Sequence, residues 1–149
     1  MENLSVNPEN YKILVVDDIV IIVLLLKSFL VMAGFWFVTE IGGREALEKV
    51  ESESPDLILL DIMMPDMNGY EGIERLKADE RFCRIPVIFL SALHDSENIV
   101  KGFKMGASDY VSKPFNHEEL ITRVAHHMFI AEAQRVIVRQ NEELQETRA

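Results

Sequence analysis

A chain of 149 residues suits one domain with some length left over, and shares of 48% apolar and 27% charged residues suit a soluble globular fold with a real core. The formal charge of −10 offers no basic face to phosphates, which argues against direct nucleic-acid binding. The lone cysteine, Cys83, excludes an internal disulfide and fits a reducing cytoplasm.

Residues 1–10 read as an N-terminal arm, without the basic and apolar blocks of a signal peptide. "YKILVVDD" (11–18) is a β-rich run ending in two acids, Asp17 and Asp18. Ile19 to Ala33 is long enough for a helix, with Gly34 placed to cap it. The stretch from Ile19 to Val38 is also long enough to span a membrane. Lys27 near its middle would cost roughly 2.5–3.5 kcal/mol on insertion scales, its flanks are acidic, and Gly34 splits it. No membrane span is therefore expected. "FWFVTE" is a second strand. "GREALEKVES" is a helix with Ala46, Leu47 and Val50 on one face. "DLILLD" is a third strand, apolar on both faces and so central in a parallel sheet. Tyr70 to Ala78 is helical, and "IPVIFLS" is a fourth strand ending in Ser91. Ser96 to Met105 is a helix closed by Gly106. "SDYVSK" is a short fifth strand. Asn116 caps the last helix, with Glu119 as its capping-box partner. Strands alternating with helices predict an α/β fold, a doubly wound five-stranded parallel sheet of flavodoxin-like type.

In such sheets ligands bind at the carboxyl ends of the strands, where strand order reverses. Those ends carry Asp17, Asp18, Asp61, Ser91 and Lys113. Three clustered carboxylates repel one another unless a cation neutralises them. A hard, oxygen-preferring ion such as Mg²⁺ suits them. With a lysine and a hydroxyl, the set holds the parts for gripping a phosphoryl group.

The motifs "VVDD", "LLDIMMPDMNG", "FLSA" and "YVSKPF", in that order at successive strand ends, resemble the receiver domain of two-component response regulators, the CheY-like family. The resemblance covers residues 11–127. It implies that Asp61 is the phosphoacceptor, attacking the phosphohistidine of a sensor histidine kinase or histidine phosphotransfer protein. Asp18 is implied as a direct Mg²⁺ ligand, with Asp17 holding metal-bound water and the Met63 backbone carbonyl adding another ligand. Lys113 is implied to pair with the phosphoryl oxygens, aimed by a cis bond to Pro114. Ser91 would hydrogen-bond the phosphoryl group. Tyr110 would be the aromatic switch that turns inward when Ser91 moves. Pro65 and Gly69 would shape the loop after the acceptor, which Met63, Met64 and Met67 surround. His94, His117, His126 and His127 show no metal-ligand spacing and read as surface residues.

Two features exceed a bare receiver. The first helix sets Val20, Val23, Leu24 and Val31 beside Lys27 on its expected outer face, as a stripe covered by a neighbouring segment or as a docking or self-association patch. The C-terminal extension, 128–149, continues the last helix, whose Leu120, Val124 and Met128 are expected to pack on the sheet. Ile130, Ile137 and Leu144 repeat every seven residues, with Gln134 and Asn141 between them, as in a short coiled coil with polar core positions. A solvated linker helix leading to an effector is the other reading. The expected function is a phosphorylation-controlled signalling module in the cytoplasm, not an enzyme, either standing alone or as a receiver fragment of a larger hybrid kinase or effector protein. It would form a homodimer through the tail or through the first helix. The alternative, an aspartyl-nucleophile phosphohydrolase, wants a second Asp two residues after the nucleophile, and Met63 stands there. A flavin binder would want a Ser/Thr/Gly-rich loop after the first strand, and "DDIVII" would repel the flavin phosphate.

Overall fold

The structure is a computed structural model, and it describes residues 7–64, 68–92 and 96–148. Strands β1 (Lys12–Val16), β2 (Trp36–Glu40), β3 (Leu57–Asp61), β4 (Val87–Ser91) and β5 (Asp109–Ser112) alternate with helices α1 (Val20–Ala33), α2 (Gly43–Glu53), α3 (Gly69–Ala78), α4 (Ser96–Lys104) and α5 (His117–Arg148). Every pairing is parallel, in the order β2-β1-β3-β4-β5. This is the doubly wound sheet that the alternation predicts.

Alternation along each strand divides the core into two layers. Ile13, Val15, Leu57, Leu59, Ile88 and Leu90 pack with Leu26 and Leu30 of α1 and Leu120, Val124 and Met128 of α5. Leu14, Val16, Ile58, Leu60, Val87 and Phe89 pack with Ala46 and Val50 of α2 and Ile73 and Leu76 of α3. β3 is apolar on both faces because helices cover both, and it is the central strand. Strand order reverses between β1 and β3, so the crevice opens at their carboxyl ends.

Local sequence sets the helix ends. Gly34 adopts φ 88°, the left-handed cap, and its N–H donates to the carbonyls of Leu30 and Val31. Asn68 accepts from the Glu71 N–H at 2.9 Å to start α3. Asn116 accepts from the Glu119 N–H at 2.9 Å, as a cap should. The expected reciprocal bond from Glu119 is replaced, because its carboxylate pairs with Arg123 one turn on, at 3.3 Å.

The outer stripe of α1 differs from its expected composition at one position, Val23. Val20, Leu24 and Val31 are exposed, together with Ile21, Leu25 and Met32. Val23 is buried, because helical spacing places it with Leu26 and Leu30 on the inner face. The tail is a continuation of α5. Tyr11 Oη donates to Glu132 at 3.2 Å, and Arg135 reaches Asp56 at 3.4 Å, so the base of the sheet holds the helix beyond Met128. Further on, Ile137 and Leu144 are exposed. Among the described residues, no helix is long and apolar enough to cross a membrane.

Candidate functional site

β1 and β3 run side by side with Val16 opposite Leu60. Asp17, one residue beyond β1, and Asp61, the last of β3, therefore reach the same rim. Both are removed from water, Asp17 at 0% exposure and Asp61 at 2%. Asp17 Oδ1 accepts from the Ile19 N–H at 2.9 Å, which turns the chain into α1. Asp18 is half-buried, and its Oδ1 is buried without a hydrogen-bond partner among the described residues. Asp17, Asp18 and Asp61 each present a carboxylate oxygen within 4.8 Å of the others.

Lys113 enters from the segment after β5, tied by its N–H to the Ser91 carbonyl at 2.9 Å. The Lys113–Pro114 peptide is cis, as the resemblance implies. Its Nζ lies 3.0 Å from Asp17 Oδ2 and 3.5 Å from Asp61 Oδ1. The contact with Asp17 is an ion pair without hydrogen-bond geometry, since Oδ2 lacks a hydrogen-bond partner among the described residues. One ammonium thus contacts two of the three clustered carboxylates. Burial, and then the charge of Asp17, push the Asp61 carboxyl up to about 6, against the opposing pull of Lys113 and the Met63 N–H. That N–H donates to Asp61 Oδ1 at 3.4 Å. Excess negative charge, hard oxygen donors and an orphaned carboxylate oxygen fit a divalent cation such as Mg²⁺.

The hydroxyl and aromatic positions lie alongside. Ser91 is buried at the end of β4, whose Leu90 stands opposite Asp61. Tyr110 on β5 is half-buried against the layer containing Phe89. Gly69 donates its N–H to the Ile62 carbonyl at 2.8 Å and sits directly against the Asp61 backbone. Met64 is buried and Met63 exposed. Pro65, Met67 and His94 lie outside the described residues.

Two of the histidines, His117 and His127, depart from their expected surface positions. His126 is exposed, but His117 is half-buried, with its ring edge-on to Phe29 at 4.9 Å. His127 is half-buried and 2.9 Å from Asp109, which also accepts from Arg123 at 2.8 Å. Burial alone would raise the Asp109 carboxyl. Hydrogen bonds from His127, the Tyr110 N–H and Arg123 overturn that and hold it below the usual range. The signal for this cluster was Arg123 and His127 four residues apart on α5, one turn, facing the acid that opens β5.

A family model described as the response regulator receiver domain matches residues 13–125. Over 115 residues the chain is 42% identical to the alkaline phosphatase synthesis transcriptional regulatory protein PhoP of Bacillus subtilis, covering 77% of this chain and 47% of that one. Over 103 residues it is 42% identical to hybrid signal transduction histidine kinase D of Dictyostelium discoideum, covering 69% of this chain and 7% of that one. The chain spans about half, or less, of the length of the curated relatives it matches. Chemotaxis protein CheY4 of Vibrio cholerae superposes with a TM-score of 0.73 at 32% identity, covering 76% of this chain and 95% of that one. With this match over most of its length, and with the fold and strand-end residues described above, the chain belongs to the response regulator receiver domain family of two-component systems.

Proposed function

We propose that the chain is a phosphorylation switch in which Asp61 accepts a phosphoryl group from the phosphohistidine of a sensor histidine kinase or histidine phosphotransfer protein. One observation carries the reading: a buried carboxylate, short of positive charge, lies within reach of Lys113 at the mouth of the sheet. An Asp61 oxygen forms the new P–O bond as the P–N bond of the donor breaks, and the imidazole leaves with the electron pair. Lys113 stabilises the transferred oxygens, and the Ser91 hydroxyl donates to one of them. Asp17, Asp18, Asp61 and the Met63 carbonyl would hold Mg²⁺, which when bound supplies charge neutralisation for the phosphoryl oxygens. Movement of Ser91 toward the phosphoryl group frees space for Tyr110, which remodels the α4–β5–α5 face. The module signals and turns over no external substrate, because Met63 stands where a phosphohydrolase keeps its acid.

This segment acts in the cytoplasm and reaches nucleic acid, if at all, through another domain, since its own charge is −10. The two relatives above bear the names of a transcriptional regulator and a hybrid kinase. Residues 11–127 are the receiver and 128–149 a helical extension that carries its output. The Mg²⁺ assignment is tested by calorimetric titration: Asp18→Ala should need about tenfold or more Mg²⁺ for half-saturation, because a liganding oxygen is gone. Unchanged affinity would remove Asp18 from the ligand set.

The output is proposed to pass through tail pairing in parallel. Ile130, Ile137 and Leu144 each contribute up to about 1.5–3 kcal/mol if fully covered, offset by Gln134, Asn141 and the entropy of association. Dimerisation should therefore be weak and sensitive to phosphorylation. In light scattering, Ile137→Asp should give monomers and Leu24→Asp should leave the assembly intact. The reverse result would move the interface to the exposed face of α1.

A further inference from the structure

We propose that the cleft between the α5 extension and the base of the sheet binds a nucleotide, with Arg84 and Arg139 gripping its phosphates. The cleft is about 720 Å³, within the size range of small-molecule sites. It lies at the opposite end of β3 from Asp61, roughly 16 Å away along the strand. It is thus separate from the acceptor crevice.

Half of the chain's arginines line it: Arg81 and Arg84 from the segment before β4, Arg135 and Arg139 from α5. Arg81 is held by Asp79 at 2.8 Å and Glu51 at 3.2 Å, and Arg135 by Asp56 and Glu132, each at 3.4 Å. Neither the Arg84 nor the Arg139 side chain forms an ion pair or hydrogen bond among the described residues. Asp56 is already matched by Arg135, so Glu142 is the one lining acid without such a partner. With their partners counted, five carboxylates (Glu51, Asp56, Asp79, Glu132 and Glu142) stand against the four arginines, so the capacity to hold an anion rests on the unpaired guanidinium forks of Arg84 and Arg139 rather than on net charge.

The chemistry of the walls narrows the ligand. Guanidinium groups present paired N–H donors that match phosphate oxygens. Between the arginines the lining is apolar, from Pro55, Ile85 and Pro86 on one side and Ala131 and Val138 on the other. That surface suits the flat body of a base. Long acidic polymers and acidic proteins would meet the whole chain's charge of −10. A small anion inside the cleft would meet the unpaired forks of Arg84 and Arg139 directly, while charges beyond a Debye length, about 8 Å at physiological salt, are screened.

The test is calorimetry on the full chain with ADP, adenosine and inorganic pyrophosphate, in EDTA so that the acceptor crevice is not titrated. ADP should bind, and adenosine and pyrophosphate should each bind about tenfold or more weakly. The double variant Arg84→Ala/Arg139→Ala should lose about tenfold or more in ADP affinity, while its melting temperature and Mg²⁺ affinity stay unchanged. Arg84→Lys/Arg139→Lys should recover part of the loss, since charge returns without the planar fork. Absence of ADP binding at millimolar concentration would overturn the proposal, as would an alanine variant that binds ADP undiminished. Equal affinity for pyrophosphate and ADP would reduce the cleft to an anion site. Binding of an acidic peptide in its place would make it a protein-docking groove.

Discussion

Without Mg²⁺ at neutral pH, Asp61→Asn should unfold at a higher temperature than the natural chain. Folding buries the Asp61 carboxylate and sets it beside Asp17, raising its pKa from 3.8 to about 6. A carboxyl raised in the folded state binds more protons there than in the unfolded state. Its favourable share of stability is then present in full below about 3.8 and is lost as pH rises through about 6. At neutral pH the ionised group penalises folding by up to about 3 kcal/mol. Asparagine removes that penalty. It also gives up the contact with Lys113, but at 3.5 Å that contact is long, and Lys113 keeps Asp17 at 3.0 Å. The net gain should be about 1–3 kcal/mol, or several degrees at about 2–4 °C per kcal/mol. The advantage should shrink as pH falls through about 6, where Asp61 takes up its proton. Added Mg²⁺ should raise the natural chain's melting temperature more than the variant's. A variant that melts lower at neutral pH, or an advantage that ignores pH, would mean that Asp61 is not under electrostatic strain.

Gly69→Ala should impair both stability and phosphoryl uptake. A Cβ at this position would lie 2.8 Å from the Asp61 carbonyl oxygen and 2.8 Å from Ile62 Cα, with the Phe89 ring at 3.2 Å. Two of these neighbours are backbone and cannot rotate aside. The Gly69 N–H is also bonded to Ile62, so α3 cannot retreat without breaking that bond. Overpacking of this kind costs about 1–3 kcal/mol, occasionally more. The strain acts on the backbone of Asp61 itself, the proposed acceptor, and a misplacement of about 1 Å can slow a reaction roughly 10²-fold. Gly72→Ala is the control. Its Cβ would meet only Leu60 Cδ2, at 3.4 Å. Alanine is the better helix former by up to about 1 kcal/mol, so this variant should be neutral or stabilising. Denaturant melts with phosphorylation rates separate the two. Equal behaviour of both variants would show that the close approach at Gly69 has no effect.

Asp17, Asp61 and Ser91 of the crevice were legible because each ends an apolar run. "KILVV" leads into Asp17, "LILL" into Asp61 and "VIFL" into Ser91, and parallel register carries those ends to one rim. The topology followed from alternation and from the two-sided apolar character of β3. The phase of α1 was not legible. Its residues are apolar on nearly every side, so spacing offers no contrast between inner and outer faces, and Val23 was placed outside. The Asp109–Arg123–His127 cluster joins a strand to a helix across 14 and 18 residues, so the helical spacing of Arg123 and His127 puts them on one face but does not name the acid they meet. The arginine cleft joins segments some 50 residues apart. Only the bend of the chain at the base of the sheet brings them to one wall.

Intact-protein mass measurement tests most directly whether Asp61 is the phosphoacceptor. Incubated with a small phosphodonor and Mg²⁺, the natural chain should gain one phosphoryl group and Asp61→Asn none, with the gain abolished by EDTA. Equal labelling of Asp61→Asn, or labelling that survives EDTA, would contradict that role.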